Sequence, residues 1–234
     1  MRIPAKTTAA IILASMAIPL AIMHPLAEYD TLCRYAPMAE AFAEGNWIEA
    51  FHPRFGVIFS VLTGTLTWLT GLDGLSSCVA VSTLAWALCI IPLYDIAEKI
   101  FDRRTARIAV ALYVACPLTL QYALGGLKEP LRTLGLLLMI KGIFSAYADE
   151  NGQFAGMTPT ILGAIILTTL KVDTVLFGGL LLAVFVFLTR NRLASSIAVM
   201  VFILSCQFPS YLVYSWTGYW LPAPQYISIL QKMF

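Results

Sequence analysis

The 234-residue chain is 59% hydrophobic and only 12% charged, with a mean hydropathy of +0.81; a water-soluble domain carries about a quarter charged residues, so the chain belongs to the membrane class. A net charge of +2 with no basic stripe argues against a nucleic-acid partner. Five cysteines, an odd number with no CxxC pair, argue against a zinc site or a disulfide framework.

The first apolar run, about 8–25, follows Arg2 and Lys6. It reads as an uncleaved first helix, because no small-x-small cleavage site follows it. The segment of about 26–75 is mixed. It opens with "EYDTLCRY", where Glu28, Asp30 and Arg34 stand close together. Ala36, Ala39, Phe42 and Ala43 then recur at helical spacing, with Gly45 as the stop, which predicts a short amphipathic helix on the membrane. After "FHPRFG" comes an apolar stretch over 55–72 rich in threonine and glycine, suited to an interfacial helix. Trp47 and Trp68 suit the same interface. Further spans are expected at about 76–98, 105–124, 131–147, 158–171, 174–189 and 193–214. Long apolar runs without alternation are helices, since open strand edges are excluded from hydrocarbon. The expected fold is an all-α polytopic membrane protein. It has about seven transmembrane helices plus external interfacial helices after the first span, in a single membrane domain over 1–234.

Lysines and arginines orient it. If 55–72 crossed the bilayer, the most basic loop, with Lys99, Arg103, Arg104 and Arg107, would lie outside while Arg2 and Lys6 lay inside. If 55–72 lies along the outer surface, Arg2, Lys6, that loop, Arg190 and Arg192 all become cytoplasmic. The N-terminus is then cytoplasmic and the C-terminus external, in a plasma membrane of bacterial type or its equivalent. The tyrosines and tryptophans Tyr211, Tyr214, Trp216, Tyr219 and Trp220 read as an interface belt.

On the external face this arrangement collects the 26–75 segment, the turn "GGLKEP" over 125–130 and the turn at Lys171–Asp173. Pro130 suits the first turn of a helix, so Lys128 and Glu129 stand at a helix N-terminus with Arg132 a turn further on. Such a basic pair either holds a phosphate or snorkels to the interface. Asp30 and Glu129 are candidate paired acids, one of which could take a hydroxyl proton. Glu28 reads as a solvated neighbour, and "KVD" at 171–173 as a structural turn. His24 and His52 are too few for a metal site, and a divalent metal finds no support. No GxSxG, Walker or GxGxxG pattern is present.

These stretches, in this order, resemble the membrane glycosyltransferases of the GT-C class, in particular the dolichyl-phosphate-mannose protein mannosyltransferase and aminoarabinose-transferase-like superfamily. "DTLCRYAPMAEAFAEGNW" resembles the superfamily's acid-to-tyrosine-to-glycine motif, with Asp30, Tyr35 and Gly45. "HPRFG" resembles its His-Pro-Pro motif, with His52 and Pro53 matching and Arg54 in place of the second proline. "EKIFDRRTAR" resembles its basic loop, and "GGLKEP" its acid-proline turn, with Glu129 where aspartate is common.

The resemblance implies sugar transfer from a polyprenyl-phosphate-linked donor to a protein, lipid or glycan acceptor, with inversion. It implies Asp30 as general base and Glu129 as second acid. It makes Tyr35, His52, Arg54, Lys128 and Arg132 substrate-binding candidates, the last four for the donor phosphate. No other cofactor is implied. Membrane lipids are expected partners. Members of the superfamily commonly continue with further spans, so the alternatives are a non-catalytic subunit beside a larger membrane partner, or a truncated or degenerate relative. A small transporter is the remaining alternative. It fits less well, because Lys141 alone reads as an ionisable residue inside a span.

Overall fold

A computed structural model describes residues 5–51, 56–147, 156–170, 172–189 and 191–217. Among these every regular element is helical. In chain order they are α1 (Ala5–Met23), a π-helical turn (Thr31–Tyr35), α2 (Ala36–Ala43), α3 (Trp47–Ala50) and α4 (Ile58–Thr70). Then come α5 (Gly74–Leu88), α6 (Ile90–Ile100), α7 (Arg103–Ala115) and α8 (Pro117–Leu124). The series ends with α9 (Glu129–Tyr147), α10 (Met157–Leu170), α11 (Val172–Leu188) and α12 (Arg192–Thr217). His52, Arg54, Lys171, Arg190, Tyr219, Trp220 and the side chains of Asp173 and Trp216 lie outside what is described.

Two of these helices are long and apolar enough to cross a bilayer, α1 and the continuous α5–α6 rod of 27 residues. The bent pair α7–α8 makes a third if it counts as one span. Two of the other expected spans depart from that length and composition among the described residues. Helix α9 carries Glu129, Arg132 and Lys141. Helix α10 has 14 residues, about 21 Å of helix against about 30 Å of hydrocarbon.

The run expected as one straight span over 105–124 bends by 54° at Cys116. The cause is Pro117, which has no N–H to give the Tyr113 carbonyl. Thr119 Oγ1 donates to that carbonyl instead, at 2.8 Å, and to Cys116 O at 3.0 Å.

Helix ends define the two ends of the bundle. At one end Leu26 N–H reaches Leu124 O (3.3 Å), and Val57 N–H reaches Thr169 O (2.8 Å). There α5 begins with two carboxylates on its free N–H groups. Asp73 Oδ1 accepts from Ser76 N at 2.6 Å, and Glu40 Oε1 from Gly74 N at 3.0 Å. At the other end Lys99 Nζ meets Ser145 Oγ (3.0 Å), and Asp95 sits between two lysines. Its Oδ2 pairs with Lys141 Nζ at 2.7 Å and its Oδ1 with Lys6 Nζ. Lys141 is therefore not the only ionisable residue within an apolar run; Asp95 lies in the α5–α6 rod and joins α1, α6 and α9.

The short helices are more buried than a helix lying on a membrane surface. Ala36, Met38, Ala39 and Ala41 of α2 are buried, as are Phe59, Ser60, Thr63 and Gly64 of α4. Helix α4 packs on α2 and the start of α5, with Thr67 Oγ1 bonded to Ser77 Oγ at 2.8 Å. Its far side exposes Trp68 and Leu69. Tyr35, Phe59, Cys78, Leu131, Leu134 and Leu170 form one core joining the short helices to α5, α9 and α10.

Helices α9 and α10 run antiparallel in close contact, because small residues let backbones approach. A Cβ at Gly142 would collide with Thr160 Oγ1 and lie 2.7 Å from Gly156 O. Gly142→Leu is expected to cost at least about 1–3 kcal/mol, the usual penalty of overpacking. Thermal unfolding in detergent checks it; an unshifted transition would rule out the close packing.

Candidate functional site

The site grows from the turn over 125–130. Gly125 and Gly126 reverse the chain between α8 and α9, with Gly126 in the left-handed region at φ +72°. Hydroxyls from neighbouring elements hold carbonyls of this turn and of the end of α8. Thr31 Oγ1 donates to Gly125 O (2.7 Å), Ser82 Oγ to Leu127 O (2.5 Å) and Thr83 Oγ1 to Ala123 O (3.3 Å). Backbone N–H groups at the start of α9 lack helical partners, as at any helix start. Lys128 precedes the helix, and its carbonyl takes the Arg132 N–H at 3.1 Å.

Thr31 links this turn to the opening charged stretch. It is fully buried and opens the π-helical turn that follows Asp30. The wider i→i+5 winding is a feature often found at functional sites. Arg34 Nη1 donates to Asp30 Oδ1 at 2.8 Å, with the Asp30 side chain 45% exposed. Glu28 is more than a solvated neighbour: Gln121 Nε2 donates to its Oε1 at 2.7 Å, tying the segment after α1 to α8.

Tyr35 is the centre of the group. It is 4% exposed, with Phe59 edge-on at a centroid separation of 5.3 Å. Lys128 Nζ lies 5.3 Å from the centroid of the Tyr35 ring, in cation–π range. Lys128 is only 6% exposed. Its ammonium therefore does not snorkel to a membrane surface but is held inside, against an aromatic face. Burial pushes the Tyr35 phenol well above its ordinary value, and the negative charges of Glu129 and then Asp30 add to that, with Arg34 opposing. Tyr35 thus remains a neutral phenol, and both predicted acids lie close enough for their fields to reach it.

Glu129 opens α9, and its Oε2 is buried without a hydrogen-bond partner among the described residues. A buried carboxylate oxygen with no donor is costly unless something supplies one. The structure thus gathers Asp30, Tyr35, Lys128 and Glu129. Arg132 lies one turn along α9, half-buried. His52 and Arg54 lie outside the described residues.

The chain matches no family model, no curated protein and no solved structure.

Among the described residues no group of three or more His, Cys, Asp or Glu side chains is placed to hold a metal ion. What the group offers is a half-exposed carboxylate, a buried cation, a neutral phenol and a buried carboxylate oxygen. The first is open to solvent and the second is held against the Tyr35 ring. Thr31 and Gly126, which hold these parts together, are invisible to a search for titratable groups. Their only signals are adjacency to Asp30 and a Gly-Gly pair.

Gly126→Ala tests that support. An added Cβ would meet Thr31 Cγ2 at 2.8 Å, on a backbone conformation that disfavours side chains. A loss of about 1–2 kcal/mol is expected from the conformation alone. The check is a denaturation midpoint beside that of Gly45→Ala, where φ is also positive (+77°) but the surroundings are open. Equal losses at the two sites would show that the Thr31 contact contributes nothing.

Proposed function

We propose that the chain is a membrane-embedded glycosyltransferase core of the GT-C type. It moves a sugar from a polyprenyl-phosphate donor to an acceptor on the external face, with inversion at the anomeric carbon. The observation that carries this reading is the group of opposed charges around Tyr35, with Asp30 half-exposed and Lys128 and Glu129 Oε2 buried. The segment resemblance and the separation of charge between the two bundle ends support it.

In this reading about seven spans cross the bilayer, formed by α1, α5–α6, bent α7–α8, α9, α10, α11 and α12. The end with Lys6, Lys99, Arg103 and Arg107 is cytoplasmic, by the positive-inside rule. The end with Asp30 and Glu129 is external, and α2, α3 and α4 cover it.

Asp30 takes the proton from the acceptor hydroxyl or amine as that atom attacks the anomeric carbon. The bond to the phosphate oxygen breaks with its electron pair, leaving polyprenyl phosphate. Charge grows on that oxygen, and a cation fixed away from water stabilises it best there. Lys128 takes this role in the proposal, with Arg132, His52 and Arg54 as further contributors. Glu129 Oε2 accepts a hydrogen bond from a sugar or acceptor hydroxyl. The apolar helices receive the polyprenyl tail.

The Asp95 cluster is the one observation that favours a transporter instead. It lies five residues before the end of α6, about 8 Å along the axis, closer to an interface than to mid-membrane. The deciding experiment is sugar transfer by the purified full chain from a polyprenyl-phosphate sugar, compared with its Asp30→Asn variant. Absence of transfer from any such donor, with no change in cellular glycans on loss of the gene, would overturn the proposal.

A further inference from the structure

A cavity lies at the opposite end of the bundle from Tyr35. It is a groove of about 390 Å³ between α1, α6 and α7, within the about 300–1,000 Å³ range of small-ligand pockets. Its charged wall is made by Lys6, Glu98, Arg103 and Arg107, with Tyr94 between them. Ala9, Ile90 and Val110 form an apolar floor.

The positive charges differ in how they are used. Lys6 is paired with Asp95, and its Nζ lies 5.8 Å from the centroid of the Tyr94 ring. Arg103 and Arg107 stand one turn apart on α7, are both exposed, and form no ion pair among the described residues. Of the nearby acids, Asp102 is engaged as the cap of α7, accepting from Thr105 N at 2.7 Å. Glu98 accepts from Tyr94 Oη at 3.3 Å and leaves one negative charge in the wall. The groove therefore keeps a net positive charge on the two arginines.

The apolar surface decides what kind of anion fits. Helices α1 and α7 both begin at this end. Exposed apolar side chains continue beyond the groove on α1, where Ile12 and Met16 follow Ala9 by one and two turns. Charge at the mouth with apolar surface running away from it matches an amphiphile.

We propose that this groove binds the phosphodiester headgroup of an anionic membrane lipid, with the phosphate on Arg103 and Arg107 and the acyl chains along α1. Basic pockets between membrane helices are suited to such headgroups. The inference rests on the membrane reading alone and is independent of sugar transfer.

The test is native mass spectrometry of the full chain released from micelles containing phosphatidylglycerol or chain-matched phosphatidylcholine. The wild-type protein is expected to retain one phosphatidylglycerol in preference to phosphatidylcholine. Retention should fall about fivefold for each arginine removed in R103Q and R103Q/R107Q. R104Q, whose arginine is exposed but does not line the groove, should retain lipid as the wild type does. Glu98→Gln removes the opposing charge and should strengthen retention. Three outcomes would overturn the proposal. One is equal loss in R104Q and R103Q/R107Q, the sign of diffuse surface charge. Another is equal retention of the two lipids. The third is displacement of the lipid by an equal concentration of inorganic phosphate, which would make free phosphate the ligand.

Discussion

Replacing Asp30 with asparagine is expected to lower sugar transfer by about 10²–10⁴-fold, the usual contribution of a general base, while the protein stays folded. Asparagine keeps the shape of the side chain and an oxygen for the 2.8 Å bond from Arg34. It cannot take up the acceptor proton. The Asp30–Arg34 pair is well exposed, at 45% and 35% of the side chains, so its loss should cost less than about 1 kcal/mol of stability. Arg34→Gln removes the same ion pair from the other side and leaves the carboxylate. If Asp30 serves only to hold the π-helical turn, the two variants will behave alike. If it is the base, Asp30→Asn loses the rate and Arg34→Gln keeps most of it. Glu129→Gln provides a second comparison, because it alters the buried acceptor without touching that turn. Wild-type transfer by Asp30→Asn would remove Asp30 from catalysis.

The parts of this site were unequally legible in the sequence. The start of α9 could be read because Pro130 fixes a first-turn position by its own covalent geometry, and the helix begins at Glu129. Asp30 could be named as one of two candidate paired acids, but Tyr35 only through the motif it resembles. The burial of Lys128 could not be read. A lysine beside a helix start has the same local sequence whether its ammonium reaches solvent or lies over an aromatic ring, and the ring comes from residue 35. The π-helical winding over 31–35 was hidden too, because it depends on Thr31 packing against a turn 94 residues away in sequence. Pro117 was present as a warning of the bend in α7–α8, yet the apolar run on both sides masked it. Asp95 was masked in the same way: averaged over a window, one carboxylate hardly changes the hydropathy of the α5–α6 rod. Its two partners come from other helices.

That cluster gives the largest expected effect on stability. Asp95→Leu leaves Lys6 and Lys141 facing one another without a counter-charge, with side chains only 27% and 29% exposed. Removing one partner from a buried ion pair costs about 3–5 kcal/mol. Partial exposure puts the expected loss near the lower end, about 3 kcal/mol. The cost arises from the stranded lysines, so it should be recoverable. The triple change Lys6→Met, Asp95→Leu and Lys141→Met replaces the cluster with apolar side chains of similar length, and such replacements are often neutral or stabilising. Unfolding midpoints of the wild type, the single variant and the triple variant separate the possibilities. A single variant that melts like the wild type would show that the pairing contributes little. A triple variant no better than the single one would show that Asp95 matters for something other than charge balance. Because the cluster lies at the end of the bundle opposite Tyr35, sugar transfer per folded molecule should be unchanged in the triple variant. Loss of transfer there would mean that the two ends are coupled through α9, the helix that carries both Glu129 and Lys141.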